Sequence, residues 1–174
     1  EPGARRLAYL SVREDPQGAL TELYTIRSDG SEVTRLFAGR MLALGLAASP
    51  DGEQIAFAAC PGSFATDCDP GADLDILAID WEGGEPRRLT GPPGGDMHPD
   101  WSPDGRIVFD SDRSGVQQVY IMEADGSGQR LLTDGSQAAR EPKWSPDGRW
   151  IAYISDATGE DELWIVPQDG GTPA

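Results

Sequence analysis

Most of the side chains that could do chemistry in this sequence are carboxylates. The chain has 30 aspartates and glutamates against 14 lysines and arginines, but only one histidine and two cysteines. Paired carboxylates could carry out the acid–base chemistry of a glycosidase, yet these acids lie in turn-rich segments and no one pair stands apart. A single histidine and the lack of a G-x-S-x-G sequence argue against a Ser-His-Asp hydrolase. We therefore expect this chain not to be an enzyme.

The two cysteines, Cys60 and Cys68, stand in one segment that also contains glycine, proline and serine. A disulfide between them would stabilise the fold by about 2.6 kcal/mol, because it restricts the unfolded chain. Such a bond indicates an oxidising compartment. Zinc is the alternative, but two thiols and His98 fall short of the four ligands of a structural site. We therefore predict the disulfide.

The same segment contains Asp67 and Asp69, on either side of Cys68, and loosely resembles a loop for a hard cation. Calcium takes about six to eight oxygen ligands, and the spacing of an EF-hand is absent from the sequence. We expect no cofactor, and Ca²⁺ is the one metal ion that these acids would suit.

The formal net charge of −16 argues against nucleic acid or an anionic membrane as the partner, since both are polyanions. A basic protein or a cation would suit the chain better. The longest apolar run, residues 41–48, is much shorter than the roughly 20 residues that cross a bilayer. No membrane insertion is therefore expected.

An internal repeat predicts the elements that position these side chains. Ser-Pro-Asp-Gly occurs three times, and a second glycine turn occurs four times. The motifs stand at 49–52, 102–105 and 145–148, and the second glycines at 30, 83, 126 and 170. Each of the first three second glycines precedes the glycine of the next motif by 22 residues. The other half of the unit varies in length, as a surface connection can at low cost.

Each unit contains up to four short runs of apolar, β-branched and aromatic residues, which predict strands. In the third unit they are about 97–102, 107–111, 118–122 and 129–133. Ser-Pro-Asp-Gly predicts a hairpin with a type I turn and a G1 bulge, because proline fixes φ at the first corner and glycine accepts a positive φ. No segment has sustained helical periodicity.

Four-stranded units of about 40–45 residues are typical of β-propeller blades. We predict an all-β fold, a partial propeller ring of about four blades with antiparallel strands, in a single domain or segment. The blades are expected at about 1–43, 44–96, 97–139 and 140–174. The first and last units each lack one strand. The recurring aromatic residues are interpreted as packing between blades.

Five stretches carry a resemblance to a known family. They are Trp-Ser-Pro-Asp-Gly at 101–105 and 144–148, Ile-Val-Phe-Asp-Ser-Asp-Arg-Ser-Gly at 107–115, Val-Tyr-Ile-Met-Glu-Ala-Asp-Gly-Ser-Gly at 119–128, and Leu-Leu-Thr at 131–133. They resemble the repeats of TolB-type propellers, which also occur in prolyl-oligopeptidase-like and tricorn-like proteases. The second unit departs from the pattern, with Ala48 in place of the tryptophan and Leu46 in place of the proline.

The resemblance implies a ring of six blades, of which this chain supplies about two thirds. Three interpretations follow: a fragment of a longer protein, an arc completed by another chain, or a closed four-bladed ring. An open arc would expose two apolar blade faces. We therefore predict a protein partner, or self-association through the open blade edges.

Strand direction predicts that the variable connections share a rim with the links between blades, opposite the Ser-Pro-Asp-Gly turns. Residues just before the innermost strands should lie nearest the channel, where His98 and Glu141 align when the motifs are superposed. The candidate binding residues on this acidic rim are Asp96, His98, Arg140, Glu141, Arg40, Asp67 and Asp69. Such a rim would attract a basic peptide or Ca²⁺, less strongly at high salt.

The leading hypothesis is a non-catalytic, TolB-like β-propeller module that binds another protein in the periplasm or outside the cell. One alternative is the propeller segment of a larger, prolyl-oligopeptidase-like hydrolase. Another is a sensor domain that binds a metal ion or a saccharide.

Overall fold

The computed structural model describes residues 6–15, 18–39, 44–60 and 73–172, and these ranges contain strands, turns and loops but no helix. They form four antiparallel sheets. The first contains β1 (Arg6–Asp15), β2 (Gly18–Arg27) and β3 (Thr34–Gly39). The second contains β4 (Leu44–Ala48), β5 (Gln54–Ala59), β6 (Asp75–Asp80) and β7 (Arg87–Arg88). The third contains β8 (Asp96–Trp101), β9 (Ile107–Ser111), β10 (Gln118–Met122) and β11 (Arg130–Leu131). The fourth contains β12 (Ala139–Trp144), β13 (Trp150–Ser155) and β14 (Glu162–Pro167).

Each sheet is a meander, in which every strand pairs with its neighbours in sequence. The sheets are called blades 1 to 4 in chain order. The prediction of an all-β partial propeller is confirmed, and among the described residues the first and last sheets contain three strands each. In blade 3, β9 and β10 have the bounds that the sequence predicts, whereas the outermost strand β11 is shorter.

The Ser-Pro-Asp-Gly segments form the predicted tight hairpins. In blade 3, Gly105 N donates to Ser102 O at 3.1 Å, and Gly105 has a φ of +90°. The Ser102 hydroxyl donates to Asp104 Oδ1 at 2.5 Å and accepts from Arg106 N at 2.8 Å. The Ser102 and Asp104 side chains thus form a hydrogen bond inside the turn. The Ser102 hydroxyl also holds the backbone of Arg106, just before β9 begins.

Antiparallel pairing places the connections on two opposite rims. The turn rim carries the Ser-Pro-Asp-Gly turns and the second glycine turns, and the link rim carries the links between blades. Backbone bonds join neighbouring blades at the link rim, where Asp96 N donates to Leu74 O at 2.7 Å and Ala139 N donates to Gln117 O at 2.8 Å. The end of β5 and the start of β6 both lie at the link rim.

At the turn rim, arginines join neighbouring blades. Arg87 of blade 2 donates to Asp125 O of blade 3 at 3.1 Å, and Arg130 of blade 3 donates to Gln168 O of blade 4 at 2.7 Å. Each arginine stands four residues after the second glycine of its own blade. Arg87 also donates to Ala124 O at 3.3 Å. Ala124 and Gln168 each stand two residues before the second glycine of their blade, so this bond is repeated.

The core lies between the blades rather than within any one of them. The front face of a blade packs against the preceding blade, and its back face packs against the following blade. Between blades 2 and 3 the core contains Ala56, Ala58, Ile76, Ala78, Ile107, Phe109, Tyr120 and Met122. Between blades 3 and 4 it contains Val108, Val119, Ile121, Ile151, Tyr153 and Val166, with Trp164 packed against it. The interpretation of the recurring aromatics as packing residues is therefore confirmed.

The arc is open at both ends. The front face of blade 1 is exposed at Leu7 (58%), and the back face of blade 4 is exposed at Leu163 (75%). In a closed four-bladed ring these two faces would bury each other. The interpretation as a closed four-bladed ring is therefore wrong. Within the described ranges, no helix has the length and apolar character needed to cross a membrane.

Candidate functional site

The innermost strands share one irregularity, at the same position of the repeat. Gly45, His98 and Glu141 have φ values of +61°, +50° and +54°. Each stands four residues before the serine of its Ser-Pro-Asp-Gly motif. The pairing with the next strand shifts register at this point in β4, β8 and β12, which is the mark of a β-bulge.

The sequence predicts His98 and Glu141 just before the innermost strands, and this predicted position is wrong. Both residues lie inside the innermost strands rather than just before them. A non-glycine residue with positive φ costs about 1–3 kcal/mol and persists only where its surroundings impose it. The bulge therefore places two polar side chains, His98 and Glu141, at equivalent positions of adjacent blades, at a cost in stability.

A buried carboxylate, Asp110, connects these two positions. Asp110 is fully buried on the back face of blade 3. Its Oδ2 lies 2.9 Å from Nδ1 of His98 and accepts from the backbone N of Glu141 at 2.6 Å. Gln117 Nε2 donates to the other oxygen at 3.3 Å. One carboxylate thus joins the inner strands of blades 3 and 4.

The same carboxylate changes the acidity of His98. Its hydrogen bond to Asp110 raises the pKa of His98 above the ordinary value of 6.5, although partial burial of the ring opposes the shift. The nearby Glu141 adds to the increase and Lys143 opposes it. With Nδ1 directed to Asp110, the imidazole has Nε2 left to offer a ligand.

A second bridge lies one step along the same strands. Asp100 Oδ2 accepts from the backbone N of Trp144 at 2.8 Å, and Lys143 Nζ lies 3.5 Å from Asp100 Oδ1. These side chains remain accessible to different degrees. His98 is 31% exposed, Asp100 is 23% exposed and Lys143 is 58% exposed. The inner-edge cluster is defined here as His98, Asp100, Asp110, Glu141 and Lys143.

Two other predicted site residues are engaged elsewhere. Asp96 is fully buried, and Arg113 Nη2 contacts its two oxygens at 2.7 and 2.8 Å. The Arg113 guanidinium also lies 5.3 Å from the ring centre of Phe109 and 5.0 Å from that of Tyr120. The expectation that Asp96 presents its carboxylate at the rim is therefore wrong. Arg140 pairs with Asp161 at the link rim, where that acid is exposed.

The remaining predicted residues lie outside the described ranges, namely Arg40, Asp67, Asp69 and Cys68. Cys60, at the end of β5, is 5% exposed. The disulfide and a Ca²⁺ loop therefore stay predictions. Within the described part of the chain, no group of three or more histidine, cysteine or acidic side chains is arranged to hold a metal ion.

Sequence reasoning missed Asp100, Asp110, Gln117 and Lys143. A signal for Asp110 was present, because the strand pairings place it at the position of Ala58 in blade 2 and Ile154 in blade 4. A carboxylate at an otherwise apolar position needs a buried partner. The partners of Asp110 could not be predicted from the sequence, since one of them is the backbone N–H of Glu141 in the next blade.

The inner-edge cluster can recognise charge and hydrogen-bonding groups. Asp100 and Glu141 offer carboxylate oxygens, while Lys143 and the His98 ring offer N–H donors. The buried Asp110 holds the cluster together across two blades. The arrangement therefore suits a peptide or another ligand with both donors and acceptors.

Comparison with known proteins gives a family and several similar folds. The sequence profile described as the TolB beta propeller domain matches residues 61–173, more than half of the chain. The structure is similar to that of a protein described as TolB from Agrobacterium tumefaciens, with 26% identity and a TM-score of 0.71 over 97% of this chain and 61% of that one. No curated protein sequence matches the chain.

Two further structures show the fold alone, because their identities are low. TolB from Acinetobacter baumannii is 19% identical with a TM-score of 0.53, over 97% of this chain and 51% of that one. A puromycin hydrolase is 19% identical with a TM-score of 0.75, over 97% of this chain and 28% of that one. The chain thus spans 61% and 51% of the lengths of the two TolB structures.

Proposed function

Because the chain belongs to the TolB beta propeller family, we propose that it is a non-catalytic module that binds another protein in the periplasm or outside the cell. The observation that carries this proposal is the inner-edge cluster, in which the buried Asp110 ties His98 of blade 3 to the backbone of Glu141 in blade 4. Strained backbone and a buried charge occur there together, and such strain is concentrated at functional positions.

The chemistry of the cluster and the charge of the chain favour a basic peptide segment as the ligand. The chain carries a net charge of −16, so a basic segment is attracted from a distance. At the cluster, Asp100 and Glu141 accept from lysine or arginine side chains, and the His98 ring and Lys143 bond to backbone carbonyls. The long-range attraction then increases the rate of association, and the hydrogen bonds determine which peptides bind.

An extracytoplasmic setting agrees with the predicted Cys60–Cys68 disulfide, since such bonds persist in oxidising compartments. The chemistry available in the cluster also agrees with a role without catalysis. The single histidine is held by a carboxylate on one nitrogen, but the described part of the chain offers no G-x-S-x-G segment to complete a hydrolase triad.

Selection of peptides from a random library displayed on phage tests this proposal. Selection on the wild type is expected to enrich peptides rich in lysine and arginine, whose binding weakens several-fold between low and physiological salt. Glu141→Gln, which keeps the size of the side chain and removes its charge, should weaken these peptides at least several-fold.

Glu53→Gln is the matched control, because Glu53 is an exposed glutamate next to the Ser-Pro-Asp-Gly turn of blade 2 and lies outside the inner-edge cluster. It changes the net charge equally and should leave binding close to wild type. Equal losses in the two variants, or enriched peptides without basic residues, would contradict the proposal.

The alternative function is that of a propeller segment attached to a catalytic domain. The structural similarity to a puromycin hydrolase is the reason to consider it. That likeness shows the fold alone and says nothing about chemistry. An α/β-hydrolase pattern with G-x-S-x-G in the same reading frame would favour this alternative, and further propeller blades would favour the binding module.

A further inference from the structure

Blade 3 contains an arginine near the link rim that packs on its own front face. Arg113 stands two residues after the end of β9, and its guanidinium lies over the rings of Phe109 and Tyr120. Its Nη2 contacts both oxygens of the buried Asp96, and its Nη1 donates to Gln129 Oε1 at 2.6 Å. Two aromatic rings, a carboxylate and an amide thus hold one guanidinium group between blades 2 and 3.

Blade 4 repeats the turn that carries this arginine, but an alanine replaces the arginine itself. Gly115 in blade 3 and Gly159 in blade 4 have φ values of +96° and +97°. Each donates from its backbone N to the carbonyl three residues earlier at 2.8 Å. Counted from these glycines, Ala157 stands at the position of Arg113. The two turns therefore share one backbone conformation and differ in the side chain at this position.

The carboxylate that pairs with Arg113 is replaced as well, whereas the aromatic pair is retained. Ala139 stands at the position of Asp96, since each begins the innermost strand of its blade. The strand pairing places Tyr153 opposite Trp164, at the positions of the two rings that Arg113 covers in blade 3. Blade 4 therefore keeps the rings and has two alanines in place of the buried ion pair.

A cavity of about 240 Å³ lies in blade 4 where the guanidinium lies in blade 3. It is situated between the link from blade 3 and the front face of blade 4, so it is inside the arc. We call it the blade 4 pocket and define it by five of its lining side chains: Asp134, Ala139, Tyr153, Ala157 and Trp164. It is smaller than the roughly 300–1,000 Å³ of a pocket for a drug-sized ligand, so it suits a single side chain.

The walls of the blade 4 pocket suit a cation. Hydrogen bonds from Ser136 lower the pKa of Asp134, so that carboxylate is charged at neutral pH. Burial raises the pKa of Tyr153 above its ordinary value of 10.0, and the charge of Asp134 adds to the increase. The faces of tyrosine and tryptophan rings attract cations, tryptophan most strongly. Among the described residues that line the pocket there is no lysine or arginine.

We propose that the blade 4 pocket binds the guanidinium group of an arginine side chain of a peptide. A guanidinium is planar and stacks on aromatic faces, and the equivalent rings of blade 3 already hold one. Asp134, in the link from blade 3, supplies the negative charge that Asp96 supplies in blade 3. This is a second site, which shares no residue with the inner-edge cluster and goes beyond the function proposed for it.

The probe is N-acetyl-L-arginine amide, and N-acetyl-L-citrulline amide is its matched control, because citrulline has nearly the same shape without the charge. NMR titration of isotope-labelled protein follows the indole N–H resonance of Trp164, which is identified by its loss in Trp164→Phe. The arginine probe should shift this resonance and saturate in the millimolar range. The citrulline probe should bind at least several-fold more weakly, since it lacks the cation–π attraction.

Ala157→Arg tests whether the pocket is the binding site, because the new side chain can fill it as Arg113 fills the equivalent space. Ala157 is exposed in a turn, so the variant is expected to fold and to lose binding of the arginine probe. Ser114→Arg is the matched control, which adds the same charge to the equivalent turn of blade 3 and should bind like the wild type. Asp134→Asn, which can keep the hydrogen bonds from Ser136, should weaken binding several-fold.

Three outcomes would overturn the proposal: no saturable shift of the Trp164 resonance, equal affinity for the two probes, or undiminished binding in folded Ala157→Arg. Far-UV circular dichroism checks the fold, and if Ala157→Arg loses its β signal, undiminished binding in Asp134→Asn takes its place as the contrary result. Because the measurement reads Trp164 and uses single amino-acid probes, its failure is distinguishable from failure of the peptide selection at the inner-edge cluster.

Discussion

Asp110 is a carboxylate at a repeat position that is alanine in blade 2 and isoleucine in blade 4. Burial of a charge is unfavourable unless hydrogen bonds compensate it. Here the compensation comes from the His98 ring, the Gln117 amide and the backbone of the next blade. A repeat pattern specifies what the blades share, so an exception of this kind could not be predicted from the spacing of the motifs.

His98 should titrate above pH 6.5 and make the stability of the protein depend on pH. Because its pKa is raised in the folded state, the His98–Asp110 bond stabilises the fold fully below about pH 6.5. That stabilisation is lost as the pH rises through the folded-state pKa. NMR titration of the Cε1 proton, unambiguous because there is one histidine, and urea unfolding at several pH values measure both effects.

His98→Gln is the control for this pH dependence, since it retains a polar side chain that does not titrate. Its stability should be flat over the interval in which the wild type loses stability. Asp110→Asn should lower the pKa of His98 toward its ordinary value. A His98 pKa at its ordinary value in the wild type would contradict this prediction.

Arg113 should matter far more to stability than an equally well-formed surface pair. Arg113→Ala leaves the buried Asp96 without the guanidinium nitrogen that contacts both of its oxygens, which costs about 3–5 kcal/mol in unfolding free energy. Arg149→Ala removes a pair with Asp147 in which the arginine is 75% exposed, and it should cost at most about 1 kcal/mol. Urea denaturation measures both values, and similar values for the two variants would be evidence against the assignment.

The hairpin is the element that the sequence predicts best. Proline, aspartate and glycine act within four residues, so the turn between β8 and β9 follows from local chemistry alone. The bulges in β8 and β12 were not predicted, because they depend on contacts with the next blade. Gly45 shows this dependence, since a Cβ there would lie 3.2 Å from the Cα of His98. Contacts between blades therefore determine where a short propeller strand carries a bulge.

Two equivalent turn glycines separate backbone strain from packing. Gly126 and Gly30 have φ values of +89° and +86°, but a Cβ on Gly126 would lie 2.4 Å from Leu89 O, whereas a Cβ on Gly30 meets nothing within 4 Å. Gly30→Ala should cost about 1–2 kcal/mol from the left-handed backbone alone. Gly126→Ala should cost a further ~1–3 kcal/mol from the clash.

Thermal unfolding of these two glycine variants is the measurement. The difference between them reports on the contact between blades 2 and 3 at the turn rim, because the backbone strain is nearly the same in both. Equal losses of stability would mean that the turn moves away from Leu89 without cost.

At the scale of the whole molecule, the number of blades and the two rims follow from the repeat, because antiparallel neighbours alternate in direction. Whether the arc closes on itself could not be predicted, since apolar residues on both end faces suit a closed ring and an open arc equally. The exposure of Leu7 and Leu163 decides between them. The residues of the inner-edge cluster become neighbours only after blades 3 and 4 pack.

The Cys60–Cys68 disulfide is a prediction about the whole molecule, since it concerns the compartment in which the chain folds. Mass spectrometry of protein alkylated without reductant should find neither cysteine modified. Reduction should lower the unfolding free energy by up to about 2.6 kcal/mol. Two alkylated thiols in material from an oxidising compartment would contradict the prediction.

Because each front face packs on the back face of the preceding blade, the chain could be lengthened by a whole blade. Residues 97–139 span one full unit of the repeat, and blade 3 presents both a front face and a back face that other blades already accept. A tandem duplicate of that unit, spliced in after residue 139, would therefore find a fitting surface on each side. The one new junction would place the back face of blade 3 against a copy of its own front face, and the packing of front on back faces in the existing arc predicts that the two fit. Growth by whole modules is the property that protein engineers seek in a scaffold of adjustable size.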